Sequence, residues 1–377
     1  MLHIHDTVSL CDECYRHIPA IVYEHEGMIK MYKKCHEHGE QHSIVEIDPE
    51  FYYSLEHRRY IPELKHILFE ASDRCQLNCP HCYHLPDNKI QDKPIDEILQ
   101  RVKQFPADCT PMIAGAEPTL RPDFVEFCAK LSELQHPNIS LLTNGLRFAS
   151  KQFTKNVYEA GLRHLCVGLN HPNYQGEIVH NKQLDAIQNL KEQDYYIAYV
   201  GYTMESLDEV PFILEEIQRL SSQHINHFRL RCGSFIGRSL DKHRSYLSAL
   251  FKKIKSILGD DIKIHSELVW GDDNPYHIMV SWGNIVLRLI QWPDKTNIDM
   301  EELATGPWCQ FYDGPITNFV HQTITRDAFI NNGLPMLDHC PTRYQYREVS
   351  NSDFVYWKHD WKGPTAINKL DVGHIIL

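Results

Sequence analysis

No stretch of the sequence approaches the ~20 consecutive apolar residues that a membrane-spanning helix requires. The opening residues, MLHIHDTVSLCDEC, lack the basic stretch and apolar core of a secretory signal, and the closing VGHIIL is too short for an anchor. Positive charge is scarce: 38 Lys and Arg stand against 50 Asp and Glu, a net charge of −12. That balance argues against the broadly basic surface that non-specific nucleic-acid binding needs, and no nucleic-acid partner is expected. Internal repeats at solenoid periods and low-complexity tracts are also missing. These absences leave the expectation of a cytoplasmic globular protein, whose 42% apolar residues over 377 positions suffice for a sizeable core.

Cysteine and histidine, by contrast, are plentiful, at 12 and 24 residues. In a reducing compartment such cysteines read as metal ligands, reactive thiols or packing groups, not as disulfides. By pattern the chain falls into three parts, residues 1–60, 61–260 and 261–377. The first holds Cys11-x2-Cys14, then alternating Ala20–Glu24, a turn at Glu26-Gly27 and Met28–Tyr32, which is a hairpin pattern. The second alternates apolar runs (67–69, 111–114, 139–143, 164–169, 196–202, 227–231) with amphipathic helical stretches. Such alternation predicts βα units on a parallel sheet, and six units fit an open, partial (βα)6 TIM-like barrel with ligands at the carboxyl ends of its strands. The third starts with Ile262–Trp270, continues into a hairpin, Tyr276–Trp282 and Ile285–Trp292 around Gly283-Asn284, and is expected to be a mixed α+β lobe. The fold class is therefore α/β, with a small N-terminal metal-bound β module ahead of the barrel.

Cys75-x3-Cys79-x2-Cys82-Tyr83 follows the first apolar run of the barrel part. Three thiolates on one short loop can hold three irons of a cubane cluster, which leaves the fourth iron open to a small chelating ligand. Tyr83 can pack over cluster or cofactor. The pattern resembles the signature of the radical S-adenosylmethionine (SAM) superfamily. That resemblance implies a [4Fe–4S] cluster on Cys75, Cys79 and Cys82. It also implies SAM bound at the open iron and reductive cleavage to a 5′-deoxyadenosyl radical that abstracts hydrogen from substrate. The implied partners are a small-molecule or lipid substrate and an electron donor such as ferredoxin or flavodoxin.

Gly115-Ala116-Glu117-Pro118, after the second run, resembles the family's GGEP motif, whose backbone contacts the SAM amino group; Ala116 stands where the second glycine is usual. Thr143-Asn144-Gly145 ends the third run as in many members. Asn170, after the fourth, can bond ribose or methionine carboxylate, or serve as a plain turn residue. Thr203 ends the fifth. Arg229, Arg231 and Gly237-Arg238 lie in and after the sixth, where an arginine can pair with a carboxylate of SAM or substrate, or join a surface ion pair.

Cys11, Cys14, Cys35 and His38 form two ligand pairs joined by the hairpin, suited to a tetrahedral zinc site or a rubredoxin-like iron site, with His36 as an alternative fourth ligand. So small a module needs such a staple to fold. The arrangement CxxC, Ile18-Pro19-Ala20, hairpin and Lys34-Cys35-His36-Glu37-His38-Gly39-Glu40 resembles a radical SAM subset. That subset includes tetraether lipid synthase and a methanopterin-pathway methyltransferase. The prolines flanking its first and third cysteines are replaced here by Asp12 and His36. The subset tilts the expected reaction towards alkyl transfer or carbon–carbon bond formation. Peptide or protein modification, and a non-catalytic metal-binding scaffold, are the alternatives.

Cys109, Cys128, Cys166, Cys232, Cys309 and Cys340 are dispersed. An auxiliary cluster on Cys232, Cys309 and Cys340 is conceivable, with packing thiols the preferred reading. Trp270, Trp282, Trp292 and Trp308 either wall a substrate pocket or cover sheet surface. Asp272-Asp273-Asn274 reads as a turn.

Overall fold

The computed structural model describes residues 1–13, 17–55, 66–82, 86–103, 110–134, 136, 138–232, 245–264, 277–291, 297, 344–349, 354–359 and 374–376. At the amino end β1 (Leu2–Leu10), β2 (His17–His25), β3 (Met28–Cys35) and β4 (Gly39–Glu46) form an antiparallel sheet in chain order. The β2–β3 turn needs two left-handed residues, and Glu26 (φ 52°) and Gly27 (φ 70°) supply them. Val22, Ile29, Met31 and Val45 pack together under Tyr52 of α1 (Pro49–Ser54). Asp48 starts that helix by accepting from the Phe51 amide at 3.1 Å, with Pro49 in the first turn.

The barrel sheet follows. β5 (His66–Ser72), β6 (Thr110–Gly115), β7 (Ser140–Thr143), β8 (His164–Leu169), β9 (Tyr196–Met204) and β10 (His227–Cys232) lie side by side, each parallel to the next. The chain returns through α2 (Ile95–Val102), α3 (Phe124–Ser132), α4 (Lys151–Glu159), the single turn α5 (Pro172–Gln175) with α6 (Glu177–Glu192), and α7 (Val210–Ser221). This is the partial (βα)6 barrel. Alternation decides which face is which. Leu141, Val167, Val200, Phe228 and Leu230 point to the helices and share one core with Phe127, Val157, Ile187 and Leu214. The residues between them, Gly168, Gly201, Thr203, Arg229 and Arg231, face the barrel lumen.

Beyond α8 (Leu247–Leu258), β11 (Ile262–Ile264), β12 (His277–Trp282) and β13 (Ile285–Ile290) extend the same sheet. The expected hairpin is present, with Gly283 at φ 58° in its turn. Its second strand, β13, runs parallel to β10 and so adds a seventh parallel strand. At the opposite edge β14 (Tyr344–Val349), β15 (Phe354–His359) and β16 (His374–Ile376) form antiparallel pairs, and β16 meets β5. The N-terminal sheet docks on α8. The buried Glu46 carboxylate accepts from the Ser248 hydroxyl at 2.5 Å and its amide at 3.3 Å, and the Phe51 and Phe251 rings meet at 5.6 Å.

Candidate functional site

The carboxyl ends of β5 to β8 converge on the cysteine loop. Arg74 anchors the loop by pairing with Asp92, whose Oδ1 also accepts from the Ser72 hydroxyl at 2.7 Å. The Cys75 amide donates to Asn88 at 3.0 Å, and the Cys82 amide to the Cys79 carbonyl at 3.2 Å, so the loop is tightly turned.

Two asparagines lean over the thiols from the next strands. Asn144, after β7, places its amide nitrogen 3.7 Å from Cys75 Sγ, and Asn170, after β8, places its own 3.3 Å from Cys79 Sγ. Burial first, then the charges of Glu117 and the neighbouring thiols, push the Cys75 thiol up to about 12. Without a cation that thiol keeps its proton; bound iron reverses the balance. Three thiols on one loop with amide donors aimed at two of them fit a cluster ligated through sulfur.

The loop after β6 is built around two residues with separate duties. Gly115 has φ 114°, and a Cβ there would stand 2.4 Å from the Ser72 carbonyl oxygen, so only glycine fits. Ala116 is not among the residues of positive φ, and its amide donates to that same carbonyl at 2.8 Å. An alanine in the second glycine position of the motif therefore costs the backbone nothing. Glu117 is fully buried. One of its oxygens accepts from the Thr119 amide at 3.2 Å and the Thr143 hydroxyl at 2.8 Å; the other accepts from the Asn144 amide at 2.7 Å. Burial raises its carboxyl above the ordinary range, against the pull of these donors. Glu117, the buried Pro118 and Thr143 thus clamp the β6 loop to the end of β7. On the far side of the lumen, Arg231 donates to Thr203 Oγ1 from Nε at 3.2 Å and from Nη2 at 2.9 Å.

Helix α6 holds both asparagines from behind, which sequence reasoning did not identify. Gln183 donates to the carbonyls of Asn144 at 2.8 Å and Gly168 at 2.9 Å. His180 Nδ1 lies 3.0 Å from the Asn170 carbonyl, and its Nε2 lies 3.0 Å from Glu216 of α7. Burial disfavours the imidazolium, yet the Glu216 hydrogen bond and charge hold His180 above its ordinary value. The available signal was polar side chains, His180 and Gln183 with Asn189, at positions whose helical spacing puts them on the buried face of α6.

The second candidate site lies in the N-terminal sheet. Cys11 Sγ and Cys35 Sγ stand 3.6 Å and 3.4 Å from His38 Nδ1. Zinc–sulfur and zinc–nitrogen bonds of about 2.0–2.3 Å give tetrahedral edges of roughly 3.3–3.8 Å, so these three atoms fit three corners of such a site. Burial opposes it, but the His38 hydrogen bond holds the Cys35 thiol below its ordinary value, and His38 is raised in turn by Cys35. Gln41 donates to Cys11 Sγ at 3.3 Å and supports the ligand from outside. His38, not His36, joins the two thiols. Cys14, Tyr83, Gly237, Arg238, Cys109, Cys309, Cys340, Trp270, Trp292, Trp308 and Asp272-Asp273-Asn274 lie outside the described residues. Cys232 is buried on the helix-facing side of β10 with Cys128 in the same core, in keeping with packing.

Residues 69–217 match the radical SAM superfamily model, and residues 3–47 match the HMPTM N-terminal zinc ribbon domain. The chain carries a radical SAM domain behind a zinc ribbon. A radical SAM domain implies a [4Fe–4S] cluster and SAM, and a zinc ribbon implies a metal at the amino end. Among curated relatives, the chain is 28% identical over 187 residues to 7,8-dihydro-6-hydroxymethylpterin dimethyltransferase of Methanocaldococcus jannaschii, covering 41% of this chain and 37% of that one. It is 28% identical over 156 residues to GTP 3′,8-cyclase of Staphylococcus carnosus, covering 38% and 44% respectively. The chain thus spans less than half the length of these relatives. Among solved structures, Streptococcus suis SuiB bound to precursor peptide SuiA matches with a TM-score of 0.43 at 16% identity, over 54% of this chain and 47% of that one. Among the described residues no helix is long and apolar enough to cross a membrane.

Proposed function

We propose that the protein is a radical SAM enzyme that takes a hydrogen atom from a substrate in the barrel lumen, in the service of alkyl transfer or carbon–carbon bond formation. The observation that carries this reading is the pairing of two cysteine thiols with amide donors, Asn144 on Cys75 and Asn170 on Cys79, at the carboxyl ends of adjacent strands. When bound, a reduced cluster held by Cys75, Cys79 and Cys82 would supply the one electron that cleaves the sulfonium–C5′ bond of SAM, leaving methionine and a 5′-deoxyadenosyl radical able to abstract hydrogen.

The chain's own residues do the rest. Cys75, Cys79 and Cys82 would ligate three irons, and Tyr83, outside the described residues, would be the aromatic that packs on cluster or cofactor. Gly115 and Ala116 let the backbone approach SAM; Glu117, Pro118 and Thr143 fix that loop; Asn144 and Asn170 orient the sulfurs. Thr203 and Arg231, hydrogen-bonded to each other, would contact SAM from across the lumen. Cys11, Cys14, Cys35 and His38 would hold a structural metal, zinc or iron. The similarity to a pterin dimethyltransferase, together with the match of the amino-terminal module, favours the transferase reading. The working division is a metal module (1–60), a radical SAM core (61–260) and a C-terminal lobe over the substrate (261–377), with a ferredoxin- or flavodoxin-type electron donor.

Anaerobic reconstitution with iron and sulfide, then dithionite and SAM, tests the reading. The native protein is expected to yield 5′-deoxyadenosine, detected by mass, and the Cys75→Ala, Cys79→Ala, Cys82→Ala triple variant none. A fully loaded native cluster that cleaves no SAM, alone or with the pterin substrate named for the relative, would count against catalysis and for the scaffold alternative.

A further inference from the structure

One row of register partners crosses four neighbouring parallel strands of the barrel. Gly168 of β8 pairs with Gly201 of β9, Gly201 with Arg229 of β10, and Arg229 with Arg288 of β13. Register partners on parallel strands share a face, and this row lies on the face opposite the helix-packed core. Two side chains are therefore missing at one end of the row, and two guanidiniums stand side by side at the other.

The space in front of Gly168 is open, whereas the Tyr199 ring covers Gly201, 3.5 Å from where a Cβ would stand. Gly168 is exposed although it lies in the middle of the sheet, and a Cβ built on it would meet nothing closer than the Thr143 carbonyl oxygen at 3.8 Å. Arg229 and Arg288 are each partly accessible although their strands are interior to the sheet. Tyr199 and Met279 are among the residues that hold them from the side. Arg229 donates to the Tyr199 hydroxyl at 3.1 Å, and Arg288 Nε lies 3.4 Å from Met279 Sδ. Burial first, then the charge of Arg229, draws Arg288 down to about 10, the behaviour of a cation held close to another at depth.

The next layer along the same face is Thr203 with Arg231, and the residue two beyond Gly168 is Asn170, which touches Cys79. Two strand residues span about 6.6 Å, so the arginine pair sits roughly one layer below the cysteine loop. We propose that Arg229 and Arg288 form the binding site for an oxyanion group of the substrate, a carboxylate or a phosphate, whose body lies over Gly168 and reaches towards the cysteine loop. Planar guanidinium forks suit either group through paired charge-assisted hydrogen bonds. The inference rests on the reading of the lumen as the substrate site of a radical SAM enzyme.

The test is equilibrium binding of two probes, inorganic phosphate and benzoate, to the reconstituted protein with SAM, measured by titration calorimetry. At least one probe is expected to bind saturably at one site. Binding should weaken by about 10- to 100-fold in Arg288→Met, the loss of one or two charge-assisted hydrogen bonds. Gly168→Leu, which fills the space without touching a charge, should weaken it as well. Arg288→Met removes a like charge from beside Arg229, and either variant decides if it keeps the native thermal transition. Preference for phosphate identifies a phosphorylated substrate; preference for benzoate identifies a carboxylic acid. Failure of both probes in a preparation that still cleaves SAM overturns the site, as does binding unchanged in both variants. A preparation that binds the probe through Arg288 yet cleaves no SAM overturns the radical reading and leaves the oxyanion site standing.

Discussion

Gly115 and Ala116 adjoin on one loop and obey opposite constraints. At Gly115 a methyl group would be driven into the Ser72 backbone, and φ 114° is itself hostile to any side chain. Gly115→Ala is expected to cost about 2–4 kcal/mol of unfolding free energy in urea titration, whereas Ala116→Gly should change stability by less than about 1 kcal/mol. An equal cost at both positions would contradict the backbone assignment. The sequence announces that alanine replaces a glycine; it does not reveal that the replaced position lies outside the left-handed region, because φ is set by the hydrogen bond to Ser72. Asn144 and Asn170 were likewise legible as polar residues at strand ends. Their proximity to Cys75 and Cys79 was not, since it depends on which strands become neighbours.

At the scale of elements, α6 and α7 meet through His180 and Glu216, with the Tyr202 hydroxyl of β9 also donating to Glu216 at 3.2 Å. His180 is held above its ordinary value, so its share of the stabilisation is complete below the ordinary imidazole range and is lost as pH rises through the raised value. Burial opposes ionisation of Glu216, but His180 and Arg219 hold it below the ordinary carboxylate value; its share is complete above that range and is lost as pH falls through the lowered value. The pair is therefore worth most in mildly acidic solution, between the two ordinary values. Glu216→Gln is expected to cost about 3–5 kcal/mol there, as for other broken buried pairs. Denaturation across pH should show the gap from the native protein narrowing towards alkaline pH. A gap that widens above neutrality would refute the assignment. The periodicities that mark the helices and the six barrel strands were readable because each element has one apolar face. The strand β4 was not, because Gly39–Glu46 mixes polar and apolar residues without a clean alternation; β1 does alternate, at Leu2, Ile4, Val8 and Leu10, but Thr7 and Ser9 between them are buried, the reverse of the usual pattern.

At the scale of the whole molecule, the N-terminal sheet is held within itself by the candidate metal site at Cys11, Cys35 and His38. Among the described residues it is tied to the rest of the chain by the contact of Glu46, Asp48 and Phe51 with α8, where Lys252 pairs with Asp48 at 2.5 Å, and by Asn297, which donates to the Ile44 carbonyl at 3.0 Å. Cys35→Ser is expected to lower bound metal by one equivalent per chain and to raise hydrogen exchange in β3 and β4, with barrel strands β7 to β9 left protected. Loss of protection across the barrel strands would show that the two parts unfold as one. The cysteine spacings made both candidate metal sites legible. The seventh parallel strand was not, because a hairpin looks the same in sequence whether it stands alone or joins a neighbouring sheet.

That strand has a consequence for the order of events at the ribosome. β10 ends at Cys232, whereas the strand that covers its edge ends at Ile290, 58 residues later (290 − 232). At about 5–20 residues per second, the growing chain carries a bare β10 edge for roughly 3–12 s before its partner is made. A nascent barrel is thus most open to pairing with a neighbouring chain in that interval, and faster synthesis of the 233–290 segment shortens the exposure.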